Sequence, residues 1–353
     1  MVENVELPNS IAEVPNTVYV YRFPYWKWPV VKQCFPDSLV IFIEQVDSIP
    51  AQSCLVLWGM CPIPDELSLA VRILRIEDGF LRSVGLGADL IRPLSWVVDQ
   101  RGIHYNVSQP SDLEYLCETG SFDEALLHRA ACLRSKIVAA GLTKYNVGTL
   151  SWKRPSSADY VILVPGQVES DASLVYGALG ERSNMGLLRT VRQAYPNAYL
   201  VYKPHPDILA RLRAEGQDEQ VAYLWCDEVV TDVSINELLK GVDEVHVLTS
   251  LAGFEALLRG KLVTCYGQPF YSGWGLTKDI LLNNRRSRCL TLDELVAAAL
   301  IKYPLYFSRN GKGLITPEQA LNEMLSWRAS CDGSTPWWRS IIRVFLRRIV
   351  GVK

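Results

Sequence analysis

The chain is poor in the residues that build metal and redox centres. It has four histidines and four methionines among 353 residues, and no two of its nine cysteines stand at C-x-x-C spacing. That excludes a zinc ribbon and a thioredoxin-like pair. The cysteine number is odd and the residues are scattered, several inside apolar runs such as "SCLVLWG". Reduced, buried thiols of a cytoplasmic protein are the expectation, with no disulfide framework. An excess of one charge is missing too. Lys and Arg number 36 against 38 Asp and Glu, a net charge of −2, so no global field draws the chain to nucleic acid. No run reaches the roughly 20 uncharged apolar residues of a membrane-spanning helix. The opening "MVENVELPNSIAEVPN" is acidic and lacks the apolar centre of a secretory signal. Internal repeats and low-complexity tracts are absent.

What the chain does have is core and alternation. Hydrophobic residues make up 49% of it, enough for a full globular interior. Short apolar runs fill the first half: "TVYVYRF", "SLVIFIEQV", "SCLVLWGM", "VRILRIEDGF" and "LSWVVD". The second half alternates strand and helix patterns, as in "DYVILVPG", "NMGLLRTVRQAYP", "AYLVYKPHP", "SINELLKGV", "DEVHVLTS", "SLAGFEALLRG" and "KLVTCYG". Such spacing predicts parallel sheets with helices on both faces. "TLDELVAAALIKYP" and "TPEQALNEMLSWR" read as helices opened by Thr caps. The expected architecture is α/β: an N-terminal domain over 1–150, a second over 151–330, and a tail over 331–353. A cleft lies between the two domains.

Four stretches at strand ends carry candidate chemistry. Glu77 and Asp78 in "RIEDGF" form an adjacent carboxylate pair suited to acid/base work, or an ordinary Asp-Gly turn. In "VPGQVESDASL", Gln167, Glu169, Asp171 and Ser173 alternate after a strand. A carboxylate there is a nucleophile, a ligand for a metal or hydroxyl, or a cap for the next turn. "YLVYKPHPD" puts Lys203 and His205 each before a proline, on a stiff extended exit from a strand. Thr249 and Ser250 end a strand and open a helix, which is an anion site or simple N-capping. The His/Lys strand end and the Ser/Thr helix start are one βαβ-type step apart, positioned to converge on one phosphate. The Glu77–Asp78 pair faces them across the cleft, the layout of a two-domain glycosyltransferase.

The "EDG", "HP" and "TS" elements, in that order, resemble the motifs of bacterial transferases that use CMP-activated nonulosonic acids. Longer strings are more specific. "RIEDGFLRSVGLGADLIRPLSWVVDQRGIHYNVSQPSDLE", "VPGQVESDASL", "KPHPD", "DEVHVLTSLAGFEALLRGK" and "YGQPFYSGWGLT" resemble the capsule-synthesis transferases of the KpsC type, from about residue 70 to about residue 328. The resemblance implies a GT-B-like fold of two Rossmann-like domains and CMP-β-Kdo as the donor substrate. It implies retention of configuration through a Kdo adduct on a carboxylate. Asp171 takes that role, with Glu169 second; two inversions at one carbon restore its configuration. Asp78, with Glu77, takes the base role towards the acceptor hydroxyl. His205 and the pair Ser250 and Thr249 support the CMP phosphate, and Lys203 joins them by proximity. Gln167 belongs to the donor segment, and Arg82 is assigned the sugar carboxylate. A CMP-sugar carries one phosphate and the chain has no D-x-D at a strand end, so no metal and no cofactor are expected. KpsC carries two such modules in tandem, whereas this chain has room for one, and Asn106 stands where an acidic residue is expected after the "GIxY" string.

Three other readings compete. One is a UDP-sugar enzyme of the same fold, against which the donor motifs resemble the CMP class. An inverting sialyl-type transferase shares the three short motifs without needing Asp171, and product stereochemistry separates it. A non-catalytic capsule export or assembly protein would be marked by loss of the carboxylates at 77, 78 and 171, all of which are present. The expected partners are CMP-Kdo, a lipid-linked saccharide acceptor and other capsule-synthesis proteins. "PWWRSIIRVFLRRIVGVK" adds a further expectation. The segment is either a last helix packed on the protein's own core or a surface-bound one. Arg339, Arg343 and Arg347 share one helix face, Trp338, Ile341, Ile342, Phe345, Leu346 and Ile349 populate the other side, and no acidic residue is present. That is the pattern of a helix lying on an anionic membrane surface, here the cytoplasmic face of the inner membrane.

Overall fold

The computed structural model describes residues 14–47, 49–84, 91–144, 148, 150–310 and 313–330. The basic tail lies outside the described residues. The strands are β1 Thr17–Tyr21, β2 Leu39–Ile43, β3 Cys54–Trp58, β4 Arg72–Asp78, β5 Ser95–Asp99, β6 Val161–Pro165, β7 Tyr199–Lys203, β8 Glu228–Val229, β9 Glu244–Val247, β10 Leu262–Cys265, β11 Lys278–Asp279, β12 Pro304–Phe307 and β13 Leu314–Ile315. The helices that matter below are α1 Trp28–Cys34, α2 Asp112–Thr119, α3 Glu124–Ala139, α4 Ala172–Gly177, α5 Asn184–Ala194, α6 Pro206–Leu209, α7 Ile235–Gly241, α8 Leu251–Leu258, α9 Leu292–Val296 and α10 Pro317–Ser330.

Two sheets form the molecule. The second has the order β11-β10-β9-β6-β7-β8 and is parallel throughout. This is the doubly wound dinucleotide-fold order, whose direction reverses between β6 and β9. β6 is "VILVP", every residue buried, as a strand covered on both faces requires. The first sheet runs β13-β12-β5-β4-β3-β1-β2. Its β2-β1-β3-β4 part is parallel and reverses between β1 and β3, while β5 pairs antiparallel with β4 and β12 antiparallel with β5. The architecture is α/β and GT-B-like.

The domain expectation needs one correction. Residues 304–315 were assigned to the second unit, yet β12 and β13 complete the first sheet. The chain returns because β5 would otherwise present a bare edge, and "PLYF" is wholly buried against it. "TLDELVAAALIKYP" is also two pieces, α9 followed by a π-helical turn over Ala297–Lys302. Both expected Thr caps are present: Thr291 Oγ1 accepts from Glu294 N (3.2 Å) and Thr316 Oγ1 from Gln319 N (3.2 Å).

The halves share a core. One buried cluster joins Val97, Leu133 and Ile137 to Val161, Val245 and Phe254. Polar ties reinforce it. Glu114 on α2 accepts from Arg285 and Arg286, and Arg134 on α3 pairs with Asp293 on α9 at 2.8 Å. Arg259, just after α8, donates to Leu142 O at 2.8 Å.

Candidate active site

A cleft of about 710 Å³ opens where the carboxyl ends of both sheets face each other. Ligands of open α/β sheets bind there because strand ends and helix starts leave unpaired polar groups at the point where strand order reverses.

The first-sheet wall is built on the end of β4. Glu77 Oε1 accepts from Asp78 N (3.0 Å), and Glu77 Oε2 accepts from the Tyr105 hydroxyl (3.3 Å). Burial, then the charge of Asp78, pushes the Glu77 carboxyl from 4.5 up to about 7. Asp78 is fixed otherwise. Its Oδ2 accepts from Arg82 Nε at 2.6 Å, and the Arg82 side chain is only 4% exposed. Two expected roles thus meet different surroundings. Glu77 carries the proton affinity of a base working near neutrality, while Asp78 is an ion-pair partner. Arg82, assigned to the sugar carboxylate, is turned to Asp78 and Ser83 Oγ. Gly59, at φ +47°, leaves room for this pair: a Cβ there would lie 2.6 Å from Tyr105 Oη and 2.8 Å from Glu77 Oε2.

The opposite wall begins after β6. Pro165 and Gly166 end the strand, and Gln167 turns inward. Its Oε1 accepts from Thr249 N (2.9 Å) and its Nε2 donates to Thr249 Oγ1 (3.1 Å). Gln167 thus staples the ends of β6 and β9 across the reversal point and shapes the pocket from behind. Asp171 opens α4: its Oδ1 accepts from Ser173 N (2.9 Å) and Ser173 Oγ (2.8 Å). The capping role leaves the residue exposed to the cleft. The dense walls around it raise its pKa, but the Lys144 ammonium and the Ser173 bonds outweigh them and hold the carboxyl below the ordinary value. It is an ionised carboxylate held in one orientation at the cleft. Glu169, the second choice, does not line the cleft. Its oxygens accept from Asn184 N (2.8 Å) and Gln217 N (3.1 Å), fixing the start of α5.

The motif after β7 supplies cationic and donor groups. Lys203 lines the cleft and donates to Thr231 O at 3.3 Å. Burial lowers its pKa to about 8, against the pull of Asp232, so it stays charged at neutral pH. His205 Nδ1 accepts from Asp207 N at 3.2 Å, the first turn of α6. The ring proton therefore sits on Nε2. Burial, helped by Lys144, drops the imidazole to about 4, so at pH 7 it is a neutral donor. Ser250 caps α8, its Oγ accepting from Ala252 N (3.3 Å), and lines the cleft beside Thr249. Lys203, His205, Thr249 and Ser250 all line the cleft, as does the amino end of α8, and groups of this kind suit a phosphate. Among the described residues no group of three or more His, Cys, Asp or Glu is placed to hold a metal ion.

Sequence reading passed over several cleft residues. Tyr105 and Lys144 act on Glu77 and Asp171 as described. Lys27 lines the first-sheet wall, and Glu255, buried on α8, accepts from Lys144 N at 2.6 Å. Lys27 stands in "YWKWP", where a lone cation among aromatics was the available signal.

A family model described as "Capsule polysaccharide biosynthesis protein" matches residues 53–147 and 123–306. The chain belongs to the capsule polysaccharide biosynthesis family. Within that family it is 47% identical over 313 residues to the capsule polysaccharide modification protein LipA of Neisseria meningitidis serogroup B, covering 86% of this chain and 44% of LipA. It is 43% identical over 314 residues to the lipopolysaccharide-processing protein LpsZ of Rhizobium meliloti, covering 84% of this chain and 71% of LpsZ. The chain thus spans less than half the length of LipA. Two solved structures from Thermosulfurimonas dismutans share the fold over most of the chain. KpsC β-Kdo 2,7 transferase gives TM-score 0.72 at 36% identity, covering 88% of this chain and 99% of that one. KpsC β-Kdo 2,4 transferase gives 0.74 at 28%, covering 87% and 97%. The capsule-family chain is thus KpsC-like in sequence and in fold. No helix among its described residues is long and apolar enough to cross a membrane.

Proposed function

We propose that this protein is a retaining transferase that moves Kdo from CMP-β-Kdo to a saccharide acceptor in capsule or surface-polysaccharide synthesis. The observation that carries this reading is the pairing of an ionised Asp171 with a high-pKa Glu77 in one cleft, beside a phosphate-suited corner. In the first step an Asp171 oxygen attacks the anomeric carbon of Kdo. The bond to the CMP phosphate breaks, and its electron pair leaves with CMP. His205 Nε2–H, the Lys203 ammonium, the Ser250 and Thr249 hydroxyls and the amino end of α8 steady that leaving phosphate. In the second step the acceptor hydroxyl oxygen attacks the same carbon. Glu77 takes its proton, and the bond to Asp171 breaks, returning the carboxylate. Each step inverts the centre, so the product keeps the donor's configuration. No bound metal is required, because a single phosphate leaves and protein groups meet its charge.

The linkage made is set by the acceptor hydroxyl that Glu77 meets, and both KpsC neighbours share this fold. The basic tail over 331–353 adds contact with the anionic cytoplasmic face of the inner membrane, where a lipid-linked acceptor resides. The direct test is CMP release and product stereochemistry with CMP-Kdo and a Kdo-terminated acceptor. Release of CMP coupled to a retained linkage is expected. An inverted linkage gives the sialyl-type alternative, and no turnover gives the non-catalytic one.

A further inference from the structure

We propose that Lys27, framed by Trp26 and Trp58, is the recognition site for a carboxylate carried by the acceptor sugar. The inference rests on the transferase reading and adds to it the chemistry of the acceptor.

Three observations converge. The first is position. The parallel part of the first sheet reverses direction between β1 and β3, and ligands bind at the carboxyl ends of strands at such a point. Lys27 follows β1 through a short 3-10 turn, Tyr25–Lys27, and Trp58 is the last residue of β3. Both line the cleft.

The second is a buried charge without an ion-pair partner. Lys27 is 8% exposed. Its ammonium lies on the face of Trp58, with the rings of Trp26 and Trp96 at 5.1 and 5.9 Å. Among the described residues it makes no ion pair and no side-chain hydrogen bond. The adjacent carboxylates are engaged elsewhere, Asp78 by Arg82 and Glu77 by Tyr105 and the Asp78 amide. Burial lowers the lysine to about 8, which leaves it mostly charged at neutral pH. A desolvated ammonium that rests on ring faces, with no ion pair or hydrogen bond of its own, is stabilised further by an anion entering from the cleft.

The third is the surrounding surface. Trp26 is half-exposed at the cleft and Tyr25 is exposed beside it. Flat aromatic faces next to a fixed charge suit a sugar ring bearing a carboxylate. The charges that act on Lys27 are Asp78, Glu77 and Arg82, all on the first-sheet wall and none on the Asp171–His205 wall. The site therefore faces the acceptor and places its hydroxyl at Glu77.

The test titrates the methyl β-glycoside of Kdo, and its carboxamide, into full-length protein saturated with CMP. The acid should bind wild type roughly 10- to 100-fold tighter than the amide. Lys27→Met should abolish that preference and Lys27→Arg should keep most of it. Equal binding of acid and amide to wild type overturns the site, as does a preference surviving in Lys27→Met. The wild-type comparison needs no variant and decides the matter even if Lys27→Met fails to fold. A second arm compares CMP-Kdo with CMP. Lys27→Met should leave that ratio unchanged; a loss there moves the carboxylate to the donor and overturns the acceptor assignment. Binding is read without turnover, so absence of Kdo transfer overturns the transferase reading separately.

Discussion

Replacing Glu77 by glutamine should make the protein more stable and inactive at once. The carboxyl is pushed from 4.5 to about 7, by burial first and by Asp78 second. That shift means the folded state disfavours the anion by about 3 kcal/mol relative to the unfolded chain. The sign follows. Between pH 4.5 and 7 the folded protein binds more protons at this site than the unfolded chain, so stability falls as pH rises, and the whole cost is present above pH 7. Glutamine is isosteric and neutral. Its carbonyl keeps the Asp78 N–H, and its amide donates to Tyr105 Oη. Glu77→Gln should therefore match wild type near pH 4.5 and melt higher at pH 8, by on the order of 4 °C for a chain of this size. Transfer should fall by roughly 10²- to 10⁴-fold. Wild-type transfer itself should rise with pH through about 7 as the base ionises. The assay is thermal melting of both proteins at several pH values, alongside CMP release with acceptor present. A difference in melting temperature that does not grow with pH refutes the desolvated base, and so does a variant that transfers normally.

Further outcomes follow from the other wall and from the tail. His205→Ala should raise the donor KM by roughly 10- to 100-fold, with a smaller change in kcat. Because the ring stays neutral down to about pH 4, donor affinity in wild type should show no titration near 6.5, and a step there contradicts the neutral-donor role. A chain ending at Ser330 should fail to sediment with anionic vesicles that capture the full protein; retained binding places the membrane contact on the folded part.

Much of the fold was legible because its signals were local. Buried runs such as "VILVP" and the strand exit "VYKPHP" fix both an element and its end, and Thr291 and Thr316 cap where their spacing to Glu294 and Gln319 says they should. The return of residues 304–315 to the first sheet was not legible, since pairing of "PLYF" with β5 depends on which edge is left open after folding. The site divides in the same way. Motif order located Asp171, His205, Ser250 and the Glu77–Asp78 pair. Which member of that pair is better placed for a base was hidden, because it turns on Arg82 folding back onto Asp78 and on Tyr105 reaching Glu77 from 28 residues away. Glu169 and Asp171 look equivalent in sequence. Only the start of α5, which takes both Glu169 oxygens out of the cleft together with Gln217 N, separates them. Lys27 was missed because its neighbours Trp58 and Trp96 come from other strands.

The account stands or falls on a covalent bond between Kdo and Asp171. Intact-mass and peptide analysis after exposure to CMP-Kdo without acceptor measures it, using Glu77→Gln protein so that the second step is slowed. One Kdo should be found on the peptide carrying Asp171, with or without an added Glu169→Gln change, and none once Asp171→Asn is introduced. Absence of any adduct while the wild type transfers Kdo with retention, or an adduct that survives Asp171→Asn, would contradict it.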